Sequence, residues 1–219
     1  MNYTIMLTFA IIVPYLICSI NPAIIAAKIK SGKDIREMGS GNPGLTNTLR
    51  TMGKGAAAVV LLFDVLKGVI SILLIRYVNA YFMDMCDRCY FIGDTSMWIG
   101  ALSGVLGHCY PIYYKFKGGK AALVTVATGM AIDWLPALIA LSVFILIVLI
   151  TKYVSLGSVI AAASYAASVG LVLFFVRNSN TWYISLIFSS AIAVIIIFKH
   201  KDNIKRLIAG NEKKLGEKK

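Results

Sequence analysis

Long apolar runs alternate with short polar segments from one end of the chain to the other. Ile5 to Ala27 is the first run, interrupted by Pro14 and Pro22; Ala56 to Ile75, Thr95 to Tyr113, Val154 to Val176 and Thr181 to Phe198 are four more. Each is close to the ~20 residues that carry a helix across a bilayer. A backbone in lipid must satisfy its own hydrogen bonds, which selects helices over open strands. Ala121 to Thr151 is too long for one ordinary span, and Asp133-Trp134-Leu135-Pro136 interrupts it, so two short spans with a turn between them are predicted there. The pattern predicts an all-α integral membrane protein with seven transmembrane helices, forming a single membrane-embedded domain over residues 1–219.

Composition supports this reading. Hydrophobic residues make up 58% of the 219 positions, and the mean hydropathy is +0.78, well above a soluble domain. The formal charge of +12 then takes a different meaning from the one it has in a soluble protein. Of the 22 Lys and Arg, all but Lys67, Arg76, Arg88 and Arg177 fall in the segments Lys28 to Lys54, Lys115 to Lys120, Lys152, and the tail from Lys199. With seven spans these segments share one face. The positive-inside rule makes that face cytoplasmic and puts the N-terminus outside and the C-terminus in the cytoplasm. The basic residues therefore point to anionic ligands and membrane lipid, and nucleic acid is not expected as a partner. Met1 to Ile12 lacks the basic start of a cleaved signal peptide. Cys86 and Cys89 form one C-x-x-C, which suits a local disulfide or free thiols and lacks the further ligands of a zinc site. No metal or cofactor is expected.

The cytoplasmic face collects the unusual polar chemistry. Gly39-Ser40-Gly41-Asn42-Pro43-Gly44 can turn successive N–H groups into a concave nest, with Thr46 and Asn47 opening the next helix and Arg50 one turn further on. That combination suits a phosphate; the glycines alone read more readily as a tight interhelical turn with a cap. Phe116-Lys117-Gly118-Gly119-Lys120 is a second glycine-lysine turn, weak by itself, preceded by Gly107-His108 and Pro111. His200 and Asn203, three residues apart, share a face if the last helix continues. Asp64 and Lys67, also three apart, read as a structural ion pair within the second span.

Together these motifs resemble the bacterial acyl-phosphate-dependent glycerol-3-phosphate acyltransferase (PlsY) family of integral membrane enzymes. The resemblance rests on Asp34-Ile35-Arg36, Gly39 to Asn42 with Gly44 and Thr46-Asn47, Asp64 with Lys67-Gly68, Gly107-His108 with Pro111, Phe116 to Lys120, Tyr153 to Leu156, and His200 with Asn203-Ile204 and Arg206-Leu207. It implies a multi-pass protein of the bacterial cell membrane with its site on the cytoplasmic side. It also implies transfer of a fatty acyl group from acyl phosphate to the sn-1 hydroxyl of glycerol 3-phosphate, giving lysophosphatidate and phosphate. Arg50, Lys120, His200 and Asn203 match positions that hold the phosphate of glycerol 3-phosphate. Ser40, the backbone from Gly39 to Gly44 with Asn42, Thr46, Asn47 and Ser155 match positions lining the phosphate site. The resemblance likewise implies that the Gly118-Gly119-Lys120 turn binds substrate, with His108 as its scaffold. The chain departs from the family in three places: Pro22 is displaced by one residue, Leu45 stands where alanine is usual, and Ala121 where glycine is usual.

The chemistry agrees with this assignment. Acyl phosphate is already activated, so the enzyme must remove a hydroxyl proton and stabilise an oxyanion. The His-x4-Asp pair of other acyltransferases is absent, since Tyr113 and Lys205 stand five residues after the two histidines. The expectation is that a phosphoryl oxygen of the donor takes the proton. A transporter would need polar residues through the spans, which offer few beyond Asp64 and Lys67, and a metal-dependent phosphotransferase would need clustered aspartates, whereas Asp34 and Asp202 are isolated.

Overall fold

The computed structural model describes residues 2–83 and 89–217, and the side chains among them except those of residues 2 and 83–93. The described residues are helical with no strand, and they divide into two compact units, Met1–Ala131 and Ile132–Lys219.

The first unit opens with α1 (Asn2–Ser19) and α2 (Pro22–Ser31). The chemistry of Asn21 and Pro22 explains the break between them. Asn21 adopts an extended backbone, and its Oδ1 accepts the Ile24 N–H at 3.0 Å. Pro22 then sits in the first turn, where its missing N–H costs nothing. The displaced proline thus starts a new helix. A 3-10 turn (Ile35–Glu37) follows, then α3 (Leu45–Met52) and the 30-residue α4 (Lys54–Met83). Buried Ala23, Ile24, Ala27, Ile35, Met52 and Val60 form one cluster, with Leu45 and Tyr114 packed against it. This apolar base anchors the polar loop at both ends.

α5 (Cys89–Cys109) packs on α1 and α4. A methyl group at Gly107 would lie 2.3 Å from the Tyr15 carbonyl oxygen, so only glycine allows this approach. Polar side chains bind the same helices: Ser103 Oγ donates to Ile11 O, Ser19 Oγ to Gly107 O at 3.3 Å, and the Asn79 amide to Ser96 Oγ at 2.9 Å. A 3-10 turn (Ile112–Tyr114) leads to α6 (Ala122–Ile132), whose 11 residues rise only about 16 Å.

The second unit contains α7 (Trp134–Thr151), α8 (Val154–Leu171) with a π-type turn (Val172–Val176), α9 (Trp182–Lys199) and α10 (Lys201–Ile208). α8 packs between α7 and α9. Asp133 caps α7 by accepting the Leu135 N–H at 3.0 Å and pairs with Arg177 at 3.0 and 3.1 Å, which explains the predicted turn at this point.

Five stretches among the described residues are long and apolar enough to cross a membrane: Tyr3–Ser31, Lys54–Phe82, Trp134–Thr151, Val154–Val176 and Trp182–Lys199. They coincide with five of the predicted runs, and α5 and α6 stand at the other two. The polar segments that flank the predicted second and third runs are helical as well: α4 continues to Met83 and α5 begins at Cys89. The Asn79–Ser96 bond ties these polar ends together as helix. The tail is helical from Lys201 to Ile208. The predicted Cys86–Cys89 chemistry lies outside the described residues; Cys18 and Cys109 are both buried.

Candidate active site

The first glycine loop is wrapped around one side chain. Asn47 is 2% exposed; its Oδ1 accepts the Ser40 N–H at 2.9 Å and its Nδ2 donates to Met38 O at 2.9 Å. Gly39 and Gly41 carry the left-handed turns, at φ 58° and 73°. Gly41 N–H reaches Met38 O, and Gly44 N–H reaches Asn42 O, each at 3.0 Å. The N–H groups of Ser40, Gly41 and Gly44 are therefore spent inside the loop. This removes three donors from the predicted nest and shifts its weight to the first turn of α3. There the helical ladder begins with Thr48 N–H to Gly44 O at 3.0 Å, and the N–H groups of Leu45, Thr46 and Asn47 precede it. Ser40 and Arg50 are exposed, while Asn42 and Thr46 are half-buried. Arg50 lies one turn along α3 from Thr46.

The second loop rests on the end of α5. Gly118 N–H donates to Cys109 O at 3.2 Å, and Gly119 N–H to His108 O at 3.1 Å. A methyl group at Gly119 would lie 2.3 Å from His108 Nε2. The predicted scaffold relation of His108 to this turn is thus a direct contact. Lys120 follows, half-buried, and Ala121 takes the left-handed conformation at φ 59° just before α6. That angle explains why glycine suits the position.

Arg36 joins the two loops. Its guanidinium grips Asp34 at 2.7–3.1 Å, and Nη1 donates to Tyr114 O at 2.9 Å and Lys117 O at 3.3 Å. Hydrogen bonding to Arg36 holds the Asp34 carboxyl below its ordinary value despite partial burial. The loops share a cavity of about 460 Å³ lined by Arg36, Gly41, Pro43, Lys115, Lys117 and Gly118, among others. Sequence reasoning placed neither Asp34 nor Arg36 in the site. The Asp-x-Arg spacing was visible, but its partners lie 78 and 81 residues further on.

The second unit holds the remaining predicted residues. His200 sits between α9 and α10, 4% exposed, with Nδ1 2.8 Å from Ile196 O. A carbonyl only accepts, so Nδ1 carries the proton and Nε2 is the basic nitrogen. Asn203 lies one turn on, and its Nδ2 donates to Glu212 Oε1 at 2.7 Å. Arg206 Nε donates to Glu212 Oε2, also at 2.7 Å. Ser155, in the first turn of α8, is buried; its hydroxyl stabilises the Glu212 carboxylate from nearby but makes no hydrogen bond of good geometry. The tail thus curls back onto Asn203 and Arg206 of the preceding helix and approaches Ser155.

Burial opposes the charge of Glu212, but Asn203, Arg206 and Ser155 outweigh it and hold the carboxyl below its usual value. A lowered folded value means that docking of the tail is complete above the ordinary glutamate pKa of about 4.3 and is lost as pH falls through the folded value. In Glu212→Gln, amide exchange over 209–217 at neutral pH is expected to quicken about tenfold, the effect of losing one charged hydrogen bond. Unchanged protection would show that the backbone bonds Asn211 N–H to Arg206 O and Leu215 N–H to Lys152 O suffice to hold the tail.

The described residues define an all-helical, multi-pass membrane protein with two polar glycine loops around one cavity. The glycerol-3-phosphate acyltransferase family matches residues 8–210, and the chain belongs to this family of membrane enzymes. It is 41% identical over 209 residues to the glycerol-3-phosphate acyltransferase of Thermoanaerobacter sp. (strain X514), with 94% of each chain covered. It is 37% identical over 211 residues to that of Clostridioides difficile (strain 630), covering 95% of each. Among solved structures it resembles PlsY (YgiH), an integral membrane glycerol 3-phosphate acyltransferase, in its glycerol 3-phosphate form: TM-score 0.76, 32% identity, 99% of this chain and 96% of that one. The lysophosphatidic acid form of PlsY aligns with TM-score 0.73 and 32% identity over 95% of each chain.

Proposed function

We propose that this chain transfers a fatty acyl group from acyl phosphate to the sn-1 hydroxyl of glycerol 3-phosphate, the first acylation in bacterial phospholipid synthesis. The hydroxyl oxygen bonds to the acyl carbon, the bond from that carbon to the phosphate oxygen breaks, and the hydroxyl proton leaves on the departing phosphate. The products are lysophosphatidate and inorganic phosphate. The observation that carries this reading is the cavity shared by the two glycine loops and braced by Arg36. Two phosphorylated molecules need two sets of donors held at fixed separation, and binding them in line supplies most of the acceleration.

Arg50, Lys120, His200 and Asn203 hold the phosphate of glycerol 3-phosphate. Ser40, the Gly39–Gly44 turn with Asn42, Thr46 on the first turn of α3, the Gly118-Gly119 turn and Ser155 line the phosphate site. Asn47 contributes by shaping the first loop. Both compact units serve as one acyltransferase domain over 1–219, and the reaction needs no metal or cofactor. The charge asymmetry supports seven crossings, with α5 and α6 completing the set. The N-terminus is then outside, the C-terminus cytoplasmic, and the site opens at the cytoplasmic side of the bacterial cell membrane.

Purified protein given glycerol 3-phosphate and acyl phosphate is expected to form lysophosphatidate and release phosphate, and to do neither with acyl-CoA. Product from acyl-CoA alone, or from neither donor with folded protein, overturns the proposal.

A further inference from the structure

Three ionisable side chains are buried inside the first unit, where a membrane protein gains little from charge. Asp64, Lys67 and His108 are 3%, 6% and 5% exposed. Lys67 Nζ lies 2.7 Å from Asp64 Oδ1, donates to Ile20 O at 2.8 Å and meets His108 Nδ1 at 3.0 Å. Asp64 Oδ1 takes this contact as an ion pair, without a well-directed hydrogen bond. An i, i+3 pair on α4 can neutralise itself on one helix and has no need of a third member from α5. A buried ionic cluster is also a poor way to gain stability, since apolar packing of the same volume does as well or better.

The contacts of His108 and Ile20 show what the cluster touches. An ammonium can only donate, so His108 Nδ1 accepts and the ring proton resides on Nε2. That opposite edge of the ring lies against Gly119, where an added methyl group would come within 2.3 Å of Nε2. The backbone of the same residue accepts the Gly119 N–H at 3.1 Å. On the other side, Ile20 lies in the break between α1 and α2, and its neighbour Asn21 donates from Nδ2 to Pro43 O at 3.1 Å, inside the first glycine loop. One ammonium therefore touches supports of both loops that line the shared cavity.

We propose that Lys67, ion-paired with Asp64, is a positioning residue that locks the His108 ring beneath the Gly118-Gly119-Lys120 turn and keeps this turn in register with the Gly39–Gly44 loop. None of the three residues touches substrate. They act by fixing the separation of the two phosphate-holding loops, a quantity that chemistry between two phosphorylated molecules reads directly. A ring free to turn would let Gly119 settle and carry the Lys120 ammonium away from its phosphate, and a released Ile20 carbonyl would loosen Asn21 and Pro43. The inference rests on the reaction proposed above.

The decisive variant is the double substitution Asp64→Leu with Lys67→Met, which removes the pair without stranding a buried charge. Measured in detergent or in vesicles, it is expected to melt within a few degrees of the parent while kcat/KM for glycerol 3-phosphate falls about tenfold or more, chiefly through KM. His108→Asn keeps an acceptor for Lys67 where Nδ1 stands but withdraws the edge facing Gly119; it should likewise raise KM in a folded protein. A folded double variant with parental KM and kcat overturns the proposal, as does a double variant that cannot fold, which would make the cluster a folding element. Parent enzyme that fails to acylate glycerol 3-phosphate in the same assay counts instead against the proposed reaction.

Discussion

Gly118→Ala is expected to lower kcat/KM roughly a hundredfold while leaving the helices folded. The new methyl group would lie 2.1 Å from the His108 carbonyl oxygen and 2.5 Å from Pro111 Cδ. Neither neighbour can yield: one is backbone at the end of α5, the other a ring that caps the next turn. The loop must therefore move, and with it the bond from Gly118 N–H to Cys109 O. Lys120 lies two residues on, so its ammonium shifts by about an ångström, a displacement that typically costs two orders of magnitude in rate. The loop lies outside the helices, so helical content by circular dichroism should be unchanged. Kinetics within a factor of about three of the parent would show that the turn tolerates displacement and that Lys120 is not held by it.

Much of this arrangement was legible in the residues, for identifiable reasons. The apolar runs announced the spans because lipid imposes one length and one backbone solution. Asp133 announced its turn because an N-cap beside a proline-containing first turn is a local signal. The scaffold role of His108 came from the family resemblance, and its contact with Gly119 is the geometry behind it. Asn21 was harder: the run from Ile5 to Ala27 reads as one span interrupted by prolines, and the outcome is a clean break in which asparagine caps and proline begins the next helix. The nest was read too generously, because counting glycines does not reveal that Asn47 consumes the Ser40 N–H and fixes the loop from inside. Arg36 and the Lys67–His108 contact were invisible for a common reason: their partners are remote in sequence, and only the folded chain brings them together.

Arg50 and Asn47 sit three residues apart on one short helix, and their substitutions should fail in opposite ways. Asn47 is buried and holds Ser40 N–H and Met38 O, so Asn47→Ala strands a donor and an acceptor, at a cost of about 2–3 kcal/mol. Its principal effect should be a melting point lowered by several degrees, with activity lost as the loop loses its shape. Arg50 is exposed on the last turn of the helix. Arg50→Ala should leave the melting point within about 2 °C of the parent. It should also remove about 2–4 kcal/mol of phosphate binding, roughly a 30- to 1000-fold loss in kcat/KM carried mostly by KM for glycerol 3-phosphate. Arg50→Lys keeps the charge but loses the planar fork, and should recover all but about tenfold. The ordering parent, lysine, alanine in KM, at constant stability, distinguishes a ligand for phosphate from a residue that shapes the loop. Equal KM values in all three would remove Arg50 from the site and leave the first turn of α3 to hold the anion alone.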